Sequence, residues 1–158
     1  MIPKIKTFPT TKFIGKKLSF TYANYRAFEL WSSFMPRRKE IQNTLGTELY
    51  NIQINSDNFD FNPNTPFIKW AAVAVNNFDL IPVGMESLEI PEGLYAIFNY
   101  KGTSGDAATF FKSIYSEWLP NCGYKIDCRP QFEILGDKYQ KDDPNSEEEI
   151  WIPIRTNV

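Results

Sequence analysis

The 158-residue chain contains no histidine. That removes Ser-His-Asp and Cys-His nucleophilic catalysis, His-ligated haem and most zinc hydrolase centres. Carboxylates, tyrosines, lysines and cysteines are left for any chemistry. Cysteine is scarce: Cys122 and Cys128 are too few for a disulfide framework and, without histidine, too few for a structural metal. No cofactor and no metal is expected. An excess of positive charge is also missing, since 17 Lys and Arg stand against 19 Asp and Glu. Nucleic-acid binding needs a concentrated basic face, and the one basic triplet, Arg37-Arg38-Lys39, reads as a solvated turn after Pro36. No run approaches the roughly eighteen apolar residues of a membrane span. The N-terminus Met1-Ile-Pro-Lys-Ile-Lys lacks the apolar stretch of a signal peptide. The expected setting is therefore a reducing cytoplasm, with neither direct nucleic-acid binding nor membrane contact.

Aromatic residues are abundant. With 13 Phe, 8 Tyr and 4 Trp, either the core or a pocket must be rich in rings. The length suits one domain over residues 1–158, large enough to bury a core without covalent staples.

The chain also repeats itself. Pro63-Asn-Thr-Pro-Phe-Ile-Lys-Trp70 and Pro144-Asn-Ser-Glu-Glu-Glu-Ile-Trp151 share a Pro-Asn-Thr/Ser start and a tryptophan at the same spacing, 81 residues apart. The same offset sets Phe13–Thr21 beside Leu94–Gly102, and Leu49–Ile54 beside Pro130–Leu135. A repeat of half the chain implies two similar halves, about 10–75 and 85–155, with a cleft between them where a ligand can sit.

Periodicity fills in the elements. Strands are expected over Phe13–Tyr22, Glu48–Ile54, Phe67–Val75, Met85–Ile90, Leu94–Tyr100, Phe132–Leu135 and Glu149–Ile154. The nearly continuous apolar run Phe67–Val75 reads as a central strand covered on both faces. Helices are expected over Tyr25–Met35, closed by Pro36, and after Lys101-Gly102-Thr103, with Thr103 or Ser104 as N-cap. In the second helix Phe110, Phe111, Ile114, Tyr115, Trp118 and Leu119 form one apolar stripe, which reads as core.

Glu133 breaks this pattern. At an offset of 81 it takes the place of Ile52, with Leu135 in the place of Ile54, so a carboxylate replaces an apolar strand residue. Such a group is costly unless it is paired or solvated in a pocket. It is either the floor of an aromatic cleft, or the partner of Arg129, Lys125 or Lys138, or a residue at a strand edge facing water. In Glu147-Glu148-Glu149 only Glu149 alternates with Trp151 and would point inward. Trp70 and Trp151 are either two pocket walls or two core plugs.

Ile90-Pro-Glu-Gly-Leu-Tyr-Ala-Ile-Phe-Asn-Tyr-Lys-Gly102, then Trp118-Leu-Pro-Asn-Cys-Gly-Tyr124, Phe132-Glu133 and Glu149-Ile-Trp-Ile-Pro-Ile154 resemble the gyrase-inhibitor-like effector-binding domain. That small-molecule module is attached to AraC-type and MerR-type multidrug regulators and also occurs alone. The resemblance covers roughly residues 10 to 155. It implies an α+β fold: a pseudo-twofold pair of βαββ units forming an antiparallel sheet, with helices on one side and a central ligand cleft. It also implies amphipathic, cationic aromatic ligands, with Glu133 as the counter-charge and Trp70, Trp151, Tyr95 and Tyr22 as stacking partners. A first strand near residue 13 leaves no room for a preceding helix-turn-helix, so the expected role is binding rather than DNA recognition. Some stand-alone members of this superfamily are hydrolases. The alternative is thus hydrolysis of reactive electrophiles, with Glu133 activating water and a tyrosine such as Tyr95 donating a proton. A third possibility is a ligand-free module that acts on a protein partner such as gyrase.

Overall fold

The structure, a computed structural model, describes residues 2–56, 62–136 and 143–156. Its order is β1 (Lys4–Phe8), β2 (Thr11–Phe20), α1 (Ala27–Phe34), β3 (Leu49–Ile54), β4 (Phe67–Val75), β5 (Glu86–Ile90), β6 (Gly93–Lys101), α2 (Ser104–Ser113), β7 (Tyr124–Ile126), β8 (Gln131–Leu135) and β9 (Glu147–Thr156). A six-residue 3₁₀ turn, Met35–Glu40, carries α1 on past Pro36, and a π-helical turn, Ile114–Trp118, continues α2. Thr103 is the N-cap of α2, and its side chain makes no capping hydrogen bond. Lys138, considered above as a partner of Glu133, lies outside the described residues. Strands β1 and β7 were not expected: Lys4–Phe8 alternates charge with apolar residues in a mostly exposed edge, and Tyr124–Ile126 spans only three residues. Among the described residues no helix is long and apolar enough to cross a membrane.

The strands form one antiparallel sheet in the order β1-β6-β9-β8-β3-β4-β2-β5, with β7 added on β9. Its outermost strands, β1 and β5, lie at opposite ends of that order. Yet β1 runs into β2 through Pro9-Thr10, and β5 into β6 through Pro91-Glu92. A two-residue link reaches only about 11 Å between flanking Cα atoms, so the two ends of the sheet must meet. The Glu92 amide donates to Thr10 Oγ1 at 3.0 Å across the meeting point. The sheet therefore curls around an inner face holding Phe8, Phe13, Ile52, Ile90, Tyr95 and Phe132 as one buried cluster.

Both helices lie on the other, outer face. Leu30 and Phe34 of α1 pack on Ile14, Ala71, Val73 and Val75 of β2 and β4. Ile114, Phe110 and Phe111 pack on Ala96, Phe98, Ile150 and Ile152 of β6 and β9. The registers connect these positions to one face: Phe98 pairs with Ile150, Ile150 with Glu133, Glu133 with Asn51, and Asn51 with Ala71.

The repeat is present, with a different step. Lys4 and Glu86, Thr11 and Gly93, and Leu49 and Gln131 begin related strands, and each pair stands 82 positions apart. Asn51, not Ile52, is then the counterpart of Glu133, and the two face each other directly in the β3–β8 ladder. The pseudo-twofold axis passes between them. The sequence alignment at 81 was one residue off in this strand, and one residue in a strand exchanges the two faces. Ile52 pairs with Phe132 and is fully buried on the inner side. Glu133 therefore does not replace an apolar residue.

At Gly15 strand β2 passes close to the backbone of β4. A Cβ built there would clash with the Ala71 carbonyl oxygen and lie 2.7 Å from the Ala72 Cα, both backbone atoms that cannot rotate away. Gly15→Ala is expected to lower the unfolding free energy by about 1–3 kcal/mol through overpacking. Urea unfolding checks this, and an unchanged midpoint would show that the ladder relaxes freely.

Candidate functional site

The outer face of the central strands β3 and β8 lies between the two helical layers, and its side chains are polar. Ladder alternation puts Asn51 and Gln53 of β3 beside Gln131 and Glu133 of β8 on this surface. Lys69 of β4, in register with Gln53, and Glu148 of β9, two residues from the Glu133 partner Ile150, extend the row on either side. A polar row buried among apolar layers must satisfy itself. Lys69 is only 5% exposed, and its Nζ donates to Gln53 Oε1 at 3.0 Å. Gln53 Nε2 in turn donates to Asn55 Oδ1 at 2.7 Å and to the Tyr22 hydroxyl at 3.2 Å. From the other helical layer, the Tyr115 hydroxyl donates to Gln131 Oε1 at 2.9 Å. Tyr115 belongs to the π-helical turn, a local widening of the helix that often accompanies functional positions. Asn51 Oδ1 is buried without a donor.

Aromatic rings border the row. Tyr22 and Tyr25, in the turn before α1, stack at 6.2 Å between centroids with planes 7° apart. Both are exposed, as is Phe28 in the first turn of α1. Lys69 Nζ lies 5.9 Å from the Tyr25 ring centre and 5.8 Å from that of Phe67. Burial alone pulls the Lys69 ammonium toward its neutral form. The Tyr25 phenol, the Glu133 carboxylate and the Tyr22 phenol more than offset this and hold its pKa above the ordinary value. These groups favour the ammonium form of Lys69 inside the site.

Glu148 behaves in the opposite sense to an ordinary surface carboxylate. Burial pushes its carboxyl up to about 9, reinforced by the charge of Glu133 and by a hydrogen bond to it, while Lys69 pulls it down. Beside this row, a cavity of about 380 Å³ is lined by residues that include Gln53, Asn55, Tyr115, Arg129 and Gln131. It adjoins the Gln53–Gln131 end of the row rather than the carboxyl pair.

The residues singled out from sequence divide between the two faces. Glu133 and Tyr22 both lie on the outer face, each acting on the Lys69 ammonium. Trp70, Trp151 and Tyr95 lie on the inner one, in or against the cluster around Phe132. Trp70 is 4% exposed. Trp151 stacks on Phe132 at 5.3 Å and 19°, and its Nε1 donates to Glu149 Oε1 at 3.2 Å. The fully buried Tyr95 hydroxyl donates to the Pro130 carbonyl at 2.8 Å, and burial pushes its pKa to about 12. Glu133 and Tyr95 are thus not brought together, because the sheet lies between them. Within the acidic run, Glu149 points to the inner side with Trp151 and is exposed, whereas Glu148 turns to Glu133. Lys69 and Glu148 were missed in sequence. The one signal for Lys69 was its place as the lone charge in the run Phe67–Val75, and the signal for Glu148 was its even spacing from Ile150, Ile152 and Ile154.

Comparison with known proteins places this geometry in a family. Residues 1–155 match the family described as the GyrI-like small molecule binding domain. The chain is similar to the transcriptional regulator BrlR of Pseudomonas aeruginosa, at 32% identity over 128 residues, covering 80% of this chain and 45% of that protein. It thus spans less than half the length of that regulator. Among solved structures, the C-terminal domain of EcmrR has a TM-score of 0.72 at 16% identity, covering 97% of this chain and 96% of that one. SAV2435 bound to tetraphenylphosphonium has a TM-score of 0.65 at 16% identity, covering 98% of this chain and 94% of that one. The fold and the family agree with the element pattern derived above: this chain belongs to the GyrI-like small molecule binding domain family.

Proposed function

We propose that the outer groove over β3 and β8 binds amphipathic, cationic aromatic small molecules, and that the chain serves as an effector-binding module. The observation that carries this reading is a polar row with Glu133 and Glu148 on the same sheet face as Gln53 and Lys69, which the exposed rings of Tyr22 and Tyr25 adjoin. A lipophilic cation gains burial for its apolar body from Tyr22, Tyr25 and Phe28. Its charge gains carboxylate partners and the faces of phenol rings. The acceptor on Asn51 without a donor adds to the negative potential of the floor. The structure of SAV2435 with tetraphenylphosphonium, a cation of this class, supports the reading on a shared fold. In a cytoplasmic setting such a module would sequester its ligand or pass the signal to a protein partner.

Titration calorimetry with tetraphenylphosphonium tests the reading. Glu133→Gln is expected to weaken binding by about 1–3 kcal/mol, the scale of a charge-assisted contact, while affinity for neutral triphenylphosphine oxide stays nearly constant. Equal losses for both compounds would remove the counter-charge role.

A second experiment asks which face the ligand uses. Tyr22→Ala is expected to cost about 0.5–2 kcal/mol of phosphonium affinity through the lost cation–π and stacking contact. Trp151→Ala, on the inner face, is expected to lower the unfolding free energy by roughly 3 kcal/mol and to leave affinity unchanged. The reverse pattern would move the site to the inner face and restore Trp70, Trp151 and Tyr95 as the ligand's stacking partners.

A further inference from the structure

The cavity of about 380 Å³ at the Gln53–Gln131 end of the row has a chemistry of its own. Lys69 sets its hydrogen-bond polarity. An ammonium only donates, so Lys69 Nζ turns the oxygen of the Gln53 amide toward itself, at 3.0 Å. Gln53 Nε2 then donates to Asn55 Oδ1 at 2.7 Å and to the Tyr22 hydroxyl at 3.2 Å. The Asn55 oxygen is thereby engaged, and its Nδ2 makes no hydrogen bond among the described residues. On the neighbouring strand β8 the Tyr115 hydroxyl engages Gln131 Oε1 at 2.9 Å, and Gln131 Nε2 is likewise left without an acceptor. Both amides belong to the cavity wall. Neither free nitrogen is shut off from solvent, so each can be reached by a ligand.

The charged groups of the wall are engaged with each other. Asp127 Oδ2 accepts from Arg129 Nε at 3.2 Å, and Asp127 Oδ1 accepts from the Cys128 amide at 2.8 Å. Arg129 Nη2 donates to the carbonyls of Leu94 and Ile154, and Arg129 Nη1 is buried without an acceptor. One positive and one negative group therefore stand in contact, beside N–H groups that have no partner. Such a wall suits a neutral oxygen acceptor. A cation would meet the positive ends of N–H dipoles, and an anion would give up its hydration for neutral amides alone.

Gln131 and Glu133 share one face of β8 and stand two residues apart, which offsets them by about 7 Å along the strand. We propose, resting on the binding reading above, that the cavity is a second subsite that receives a carbonyl oxygen of the ligand, held by Gln131 Nε2 and Asn55 Nδ2. A carbonyl oxygen has two lone pairs, one for each amide. The ligand class is then narrower than lipophilic cations in general: it is an aromatic cation carrying a ketone, ester or amide carbonyl about 7 Å from its charge. Such a molecule spans the row from the Glu133 carboxylate to the cavity. A cation without an acceptor uses the carboxylate end alone. No covalent bond forms or breaks.

Two measurements on the full chain test the proposal. In the first, titration calorimetry compares para-acetylbenzyl triphenylphosphonium with its para-isopropylbenzyl isostere, which has the same charge and nearly the same shape. The acetyl compound is expected to bind about tenfold more tightly, although it is the less hydrophobic of the two. Equal affinities, or a preference for the isopropyl compound, overturn the subsite while leaving the cation reading intact. Absence of binding by either compound overturns both. In Gln131→Glu and in Asn55→Asp the oxygens that Tyr115 and Gln53 use are kept, and the free amide nitrogen becomes an oxygen. The acetyl preference is expected to fall to about threefold or less in each. The added carboxylate acts on both ligands alike, so their ratio reads the carbonyl contact. A preference unchanged in both variants overturns the role given to the two amides. In the second measurement, Cys128, exposed in the cavity wall, is alkylated with iodoacetamide, with Cys122 as the internal reference. The acetyl compound at saturation is expected to slow alkylation of Cys128 several-fold and to leave that of Cys122 unchanged. An unchanged Cys128 rate at saturation places the carbonyl outside the cavity and overturns the proposal.

Discussion

The β3–β8 ladder is the contact on which the rest of the molecule depends. It joins the two repeated units at the centre of the sheet and sets Ile52 against Phe132 on one side and Asn51 against Glu133 on the other. Each unit alone would present a sheet edge here, with unpaired amides and carbonyls. Pairing the two edges removes that liability and fixes which residues face inward. The inner face gathers rings from both units, with Phe8, Tyr95 and Trp151 all in ring contact with Phe132. The outer face receives a helix from each unit at its flanks, which leaves the polar central row between them.

This division of labour explains why a chain so rich in aromatics can have two ring clusters of different character. The inner cluster stabilises the curl of the sheet, and its members are buried. The outer rings, Tyr22, Tyr25 and Phe28, are exposed. Lys69 ties the two requirements together. Its burial costs stability unless the carboxylate, phenols and amide around it stay in place, so the same contacts that tolerate it also pre-position the groove.

Several features were legible in the chain before any coordinates. The apolar run Phe67–Val75 gave the strand of that exact extent, and the stripe through Phe110 and Ile114 gave the helical cover of β6 and β9. Glu133 stood out because a carboxylate in a short apolar strand needs a reason. The repeat was visible because both units build the same strand and turn sequence. Its step could not be fixed, since identity between the units is low and a step of 81 or 82 aligns the tryptophans or the strand starts, not both. Trp70 and Trp151 are conspicuous, but as inner-face residues of β4 and β9 they are packed against the same cluster. Lys69 and Glu148 were hidden by their neighbours, one inside an apolar run and the other inside a charge run.

By itself the sequence determined the fold class, the two-unit plan, the absence of histidine chemistry and the candidacy of Glu133. These depend on local periodicity and composition, which every segment carries on its own. Only the tertiary structure decided which residues share the groove with Glu133. That depends on strand register and on the face each side chain takes, and both are set by pairing between segments as far apart as Asn51 and Glu133. A shift of one residue leaves the local pattern of a strand almost unchanged but exchanges its two faces. Register is fixed by the joint burial of both faces, a property of the assembled sheet rather than of any one strand.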